Sequence, residues 1–152
     1  MKKEDYKKQN LTVLVSRVLF AAYIIGVMYF MFFAEGFGRN NTAAGYRYNI
    51  EPFNEIKRFY RMLSNGYSYK AVLNLGGNIA AFIPFGLFLP MMRRKKTGLI
   101  NTVLLSFMFS ACIETIQLYF KLGVFDVDDL ILNTLGGFIG YLLYLIGKAW
   151  CK

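Results

Sequence analysis

The chain has 152 residues, of which 56% are hydrophobic, 18% aromatic and 18% charged, a composition suited to a solvent that is partly lipid. Four apolar stretches of about twenty residues each would occupy more than half of it, so a single membrane domain over residues 1–152 is the ceiling and no separate water-soluble core fits. The net charge of +9 does not point to nucleic acid, because its densest runs, Lys2/Lys3/Lys7/Lys8 and Arg93/Arg94/Lys95/Lys96, adjoin apolar spans and read as topology signals, and the absence of histidine excludes His-based zinc sites and Ser-His or Cys-His catalysis.

The first span is predicted over residues 11–34, entered through a basic segment and ending in the aromatic cluster Tyr29-Phe30-Met31-Phe32-Phe33. Its apolar run exceeds the roughly 7–15 residues of a signal peptide, so it reads as a retained anchor, with Arg17 able to snorkel near its inner end. Residues 35–70 form a polar loop, in which Phe53, Ile56, Phe59/Tyr60 and Leu63 recur at helical spacing between Pro52 and Asn65-Gly66. That pattern predicts a short amphipathic helix whose polar face, Glu55, Lys57, Arg58 and Arg61, keeps it in the membrane interface.

Three further spans follow over residues 71–92, 98–120 and 129–147, the second and third joined by a turn short enough to make them antiparallel neighbours. The fold class is therefore an all-α membrane protein, a four-transmembrane-helix bundle with an amphipathic interfacial helix in its first outer loop. Arg93, Arg94, Lys95 and Lys96 place their turn in the cytoplasm, and both termini with it, against the weaker pull of six basic and three acidic residues in the loop 35–70. Cys112 falls inside the third span and Cys151 at the opposite face, so a disulfide between them would have to cross most of the bilayer.

Polar residues then gather on particular helix faces. In the third span Ser106, Ser110, Glu114, Gln117 and Lys121 draw one stripe down an apolar helix, which must face protein or water. The second span carries Asn74 and Asn78 one turn apart. The fourth begins with Asp126 and Asp129 and continues through Asn133, Gly136 and Gly140 on the same face. With a rise of about 1.5 Å per residue, Asn78 and Glu114 lie roughly 10–12 Å below the outer boundary, and Asn74, Gln117 and Asn133 roughly 5–8 Å. All five are in one leaflet.

An ionised, unpaired Glu114 would cost about 2.5–3.5 kcal/mol at membrane depth. It therefore needs a partner, for which Arg47 and Lys121 are the candidates, or a proton. Asn74, Ser106 and Ser110 read first as packing groups, and Gly136-x-x-x-Gly140 as a close-packing signal within one chain or between copies in a homo-oligomer. Glu114, Asp126 and Asp129 read as functional, since packing rarely needs three carboxylates. Pro84 interrupts the hydrogen-bond ladder of the second span below Asn78.

The string Asn78-x-x-x-Phe82-x-Pro84-x-Gly86, then Glu114-x-x-Gln117, then Asp126-x-x-Asp129-x-x-x-Asn133-x-x-Gly136-Gly137 resembles the VanZ-like family of bacterial membrane proteins, as does the loop sequence Arg47-x-Asn49-x-x-Pro52-Phe53. The resemblance covers residues 45–145, with motifs in the same order and spacing. It implies a place in the Gram-positive cell envelope and, for the name-giving members, reduced susceptibility to teicoplanin-type lipoglycopeptide antibiotics. Asp128, beside Asp129, is an extra acidic group that the motif does not assign to the site.

Two functions of different class remain open. One is a non-catalytic binder: Arg47, Asn49, Asn78, Glu114, Gln117, Asp126, Asp129 and Asn133 line an outward-facing polar site for a membrane lipid, a lipidated glycopeptide or a lipid-linked cell-wall precursor, with no cofactor. The other is an intramembrane hydrolase or transferase, with Glu114 as general acid or base and Mg²⁺ or Ca²⁺ held at Glu114, Asp126 and Asp129. A transporter would need a polar path to the inner leaflet, where Ser106 is the main polar group.

Overall fold

The computed structural model describes residues 3–29, 45–64, 69–92 and 97–150. Its order is α1 (Lys3–Tyr29), β1 (Tyr48–Asn49), α2 (Asn54–Ser64), α3 (Tyr69–Met92), α4 (Leu99–Tyr119), β2 (Phe125–Asp126) and α5 (Val127–Trp150). Four of these helices are long and apolar enough to cross a bilayer, over Asn10–Tyr29, Leu75–Met92, Leu99–Tyr119 and Val127–Trp150. At about 1.5 Å per residue, the 21 residues of α4 extend about 31 Å, close to the hydrocarbon thickness of a membrane. The all-α four-span bundle expected from composition is thus the fold, and the protein is a multi-pass membrane protein. The end expected for the first span, residues 30–34, and the basic turn 93–96 lie outside the described residues.

The third span's expected stripe is buried at Ser106, Ser110, Glu114 and Gln117, with Thr102 extending it one turn back, whereas Lys121 at its other end is exposed, as are Leu104, Phe107 and Met108 on the remaining faces. Thr102 and Ser106 donate their hydroxyls to the carbonyls one turn back, Gly98 at 3.1 Å and Thr102 at 2.9 Å. These bonds satisfy the two hydroxyl donors within α4 itself.

Helix α5 sits at the centre, packed most extensively on α3 and then on α4, whereas α3 and α4 touch one another much less despite their short connection. Glycine explains the arrangement. A Cβ on Gly136 would overlap the Ile79 carbonyl, one on Gly140 the Ile83 carbonyl, and one on Gly86 the Gly137 carbonyl, while on the α4 side a Cβ on Gly137 would overlap Ser106. Backbones that approach this closely hold together by van der Waals contact, which is the main association force where lipid is as apolar as the side chains. Gly136 and Gly140 therefore serve contacts within the chain.

An aromatic cluster also joins α1 and α4 to α3. Phe85 stacks on Phe109 at 5.1 Å between ring centroids, Phe82 meets Phe109 at 5.7 Å and Phe20 meets Phe85 at 5.5 Å. Helix α3 continues through Pro84 and Pro90, and near the interrupted turn the Tyr23 hydroxyl donates to the Ala81 carbonyl at 2.6 Å. Tyr23→Phe removes this link between α1 and α3. It should cost about 0.6–1.7 kcal/mol, read as a lower thermal unfolding temperature in detergent with unchanged helix content.

Helix α4 ends in a reciprocal pair of bonds, Lys121 N–H to the Leu118 carbonyl at 3.1 Å and Leu122 N–H to the Gln117 carbonyl at 2.8 Å. This is the Schellman arrangement, with Lys121 in the left-handed region at φ 55 where glycine is usual. The Lys121 backbone closes the helix, and its ammonium stands 5.1 Å from the centroid of the Tyr46 ring.

Candidate functional site

The outer loop returns to the bundle through a parallel pairing of two residues each, Tyr48 with Phe125 and Asn49 with Asp126. The Phe125 N–H donates to the Arg47 carbonyl at 3.1 Å in the same ladder. Neither strand is legible in the sequence, because two residues are too few to show alternation. The pairing nevertheless decides the site, since it lays the loop across the start of α5.

Asp126 is the hub of the contacts. Its N–H donates to Glu114 Oε2 at 3.2 Å, its two carboxylate oxygens each accept from Asn49 Nδ2 at 3.2 Å, and Oδ1 also accepts the Asp128 N–H at 2.9 Å. The last bond makes Asp126 the N-cap of α5, whose first turn also holds Asp128 and Asp129. Three carboxylates at a helix N-terminus lie where the aligned peptide dipoles favour negative charge.

Asp129 accepts from Asn78 Nδ2, which ties α5 to α3. One turn further along, the fully buried Asn133 donates from Nδ2 to Ser110 Oγ at 2.9 Å, which ties α5 to α4, while its Oδ1 has no hydrogen-bond partner. A buried amide oxygen left in this state costs about 1–3 kcal/mol. Ser110 is thus a structural support for the site.

Glu114 and Gln117 are 2% and 3% exposed, so both stand inside the bundle on the face toward α5. Asn49, Asn78, Asp126 and Asp129 are half-buried, and Arg47 is exposed at the rim. The residues expected to form the site therefore lie at one end of the bundle, in layers from the Arg47 rim down to Asn133. The side chain of Asn74 lies outside what the structure describes.

Asp128, which the motif does not assign to the site, lies beside it. It is completely buried, and its Oδ1 accepts the Phe53 N–H at 2.5 Å. That bond holds Phe53 in the left-handed region at φ 65, a conformation that disfavours a side chain by about 1–2 kcal/mol. Asp128 therefore anchors the loop and the start of α2 beside the site. The only local hint was its place in the first turn of a helix, and its partner lies 75 residues away.

Among the described residues, no group of three acidic side chains is close enough to share a metal ion. What the arrangement offers chemically is a set of carboxylates and amides from β1, β2, α3, α4 and α5, gathered at one end of the bundle. Exposed aromatic residues mark that end, including Tyr46, Tyr48, Tyr60, Tyr119 and Phe120, as Trp150 marks the other.

The same chain matches the family model described as VanZ/LLP1 over residues 20–148. It is also similar to Protein VanZ of Enterococcus faecium, with 29% identity over 136 residues that cover 86% of this chain and 74% of the relative. No solved structure gives a significant match. With four membrane-spanning helices and a family model that extends from within α1 almost to the end of α5, the chain belongs to the VanZ/LLP1 family.

Proposed function

We propose that this protein acts in the bacterial cell envelope by binding the polar head group of a lipidated or lipid-linked molecule, and that it thereby lowers susceptibility to teicoplanin-type lipoglycopeptides. The observation that carries the reading is the gathering of Asn49, Asn78, Glu114, Asp126 and Asp129 at one membrane boundary, connected by side-chain and backbone hydrogen bonds. In this reading the site opens outward and both termini are cytoplasmic, supported by the basic run Arg93-Arg94-Lys95-Lys96 at the opposite end of α3. An acyl chain would stay between helices and lipid, while the sugar or peptide head meets Arg47, Asn49 and the carboxylates.

Binding is favoured over proton transfer by the bond from the Asp126 N–H to Glu114 Oε2, which gives the carboxyl a positioning task that an amide oxygen could also perform. The test is expression in a susceptible Gram-positive host, at matched membrane levels, with teicoplanin and vancomycin compared. Wild type is expected to protect against teicoplanin, with little effect on vancomycin, which lacks the lipid tail. Asp129→Ala and Glu114→Leu should lose protection, whereas Glu114→Gln should keep most of it. Loss in Glu114→Gln equal to that in Glu114→Leu would move the assignment to the intramembrane enzyme, with Glu114 as general acid or base. Absence of protection by wild type would remove the antibiotic from the proposal.

A further inference from the structure

Ile56, Lys57, Tyr60 and Arg61 of α2 line an open cleft of about 440 Å³. Its described lining carries two cations one helical turn apart, Lys57 and Arg61, and Tyr60 is 76% exposed. Arg61 Nε donates to the Lys57 carbonyl at 3.4 Å, which holds the guanidinium stem along the turn that carries Lys57. Helix α2 rests on α3 and α5, and the Asp128 anchor at Phe53 fixes its start at the bundle end with the exposed aromatic residues. The four apolar helices put this end at the lipid headgroups, so the cleft faces phosphate on one side and the upper acyl region on the other.

We propose that the α2 cleft is a binding site for an anionic phospholipid of the surrounding bilayer, with Lys57 and Arg61 on the phosphate and Ile56 and Tyr60 against the glycerol and first acyl carbons. Charge selects the occupant. A zwitterionic choline head carries its own cation and gains little from the pair, whereas a glycerol head leaves the phosphate charge uncompensated. This site is separate from the carboxylate cluster and does not depend on the function proposed for it.

The test titrates the purified full-length protein in neutral detergent with dioleoylphosphatidylglycerol or dioleoylphosphatidylcholine and counts bound lipid by native mass spectrometry. Wild type is expected to bind phosphatidylglycerol at least about tenfold more tightly, with the preference shrinking as salt rises. The Lys57→Ala/Arg61→Ala pair should reduce that preference to near unity with unchanged circular dichroism. Lys57→Arg, and Lys148→Ala in the last turn of α5, should keep it. Equal binding of the two lipids by wild type overturns the proposal whether or not the double variant folds, and so does a preference that survives in the folded double variant. A lipid-independent dimer abolished by the double substitution would also overturn it, assigning the face to a second copy of the chain.

Discussion

Gly140→Ala is expected to destabilise the bundle by about 2–3 kcal/mol, in the upper part of the range for overpacked interiors, because its new methyl group meets backbone. It would overlap the Ile83 carbonyl and stand 2.9 Å from the Leu87 nitrogen and 3.0 Å from the Gly86 Cα. None of these atoms can swing away as the end of a side chain can, so relief requires α3 and α5 to separate. Separation would in turn disturb the Asn78–Asp129 bond, which joins the same two helices nearer the membrane boundary. Gly147 provides the control, since a Cβ there meets nothing within 4 Å, and Gly147→Ala should be neutral or slightly stabilising through its higher helix propensity. Unfolding in mixed micelles with increasing dodecyl sulfate measures both. A Gly140→Ala midpoint equal to that of wild type would mean that α3 and α5 do not approach as closely as described.

If the protein acts as proposed, Asp128→Ala is expected to abolish its teicoplanin protection while leaving the four spans folded. Removing the carboxylate withdraws the acceptor from the Phe53 N–H, an imbalance of about 1–3 kcal/mol, in a residue already held at a φ that resists a side chain. The loop should then relax, carrying Asn49 off Asp126 and the start of α2 off the bundle. Hydrogen exchange at the Phe53 amide should quicken by roughly five- to 150-fold, the kinetic equivalent of that range. Asp128→Asn keeps an acceptor oxygen at the same place and should retain much of the protection. If Asp128→Ala instead protects as wild type does with an unchanged Phe53 amide, the loop is held by something other than this bond.

The division of labour between the two aspartates shows why one was legible in the sequence and the other was not. Asp129 lies one turn from Asn133 and on the face of Gly136 and Gly140, so helical periodicity alone aims it inward. The same periodicity sets Asp128 beside that face, toward a loop whose location no helical repeat encodes. Its burial follows from the parallel pairing of Tyr48 and Asn49 with Phe125 and Asp126, which closes the chain over more than seventy intervening residues. Lys121 illustrates the converse. Its charge and position make it a candidate partner for Glu114, whereas its left-handed backbone, which ends α4, has no sign in the sequence.

By itself the sequence determined the four spans, the interfacial helix and the inward faces of α4 and α5, because each depends on apolar length or on a repeat of 3.6 residues read within one segment. Tertiary structure decided which helices touch, placing α5 between α3 and α4, because close approach depends on glycines meeting particular backbone atoms of another helix. It also decided that the loop crosses the acidic end of the bundle and recruits Asp128, since hydrogen bonds between residues 75 and 77 positions apart have no local signature and exist only once the helices have packed.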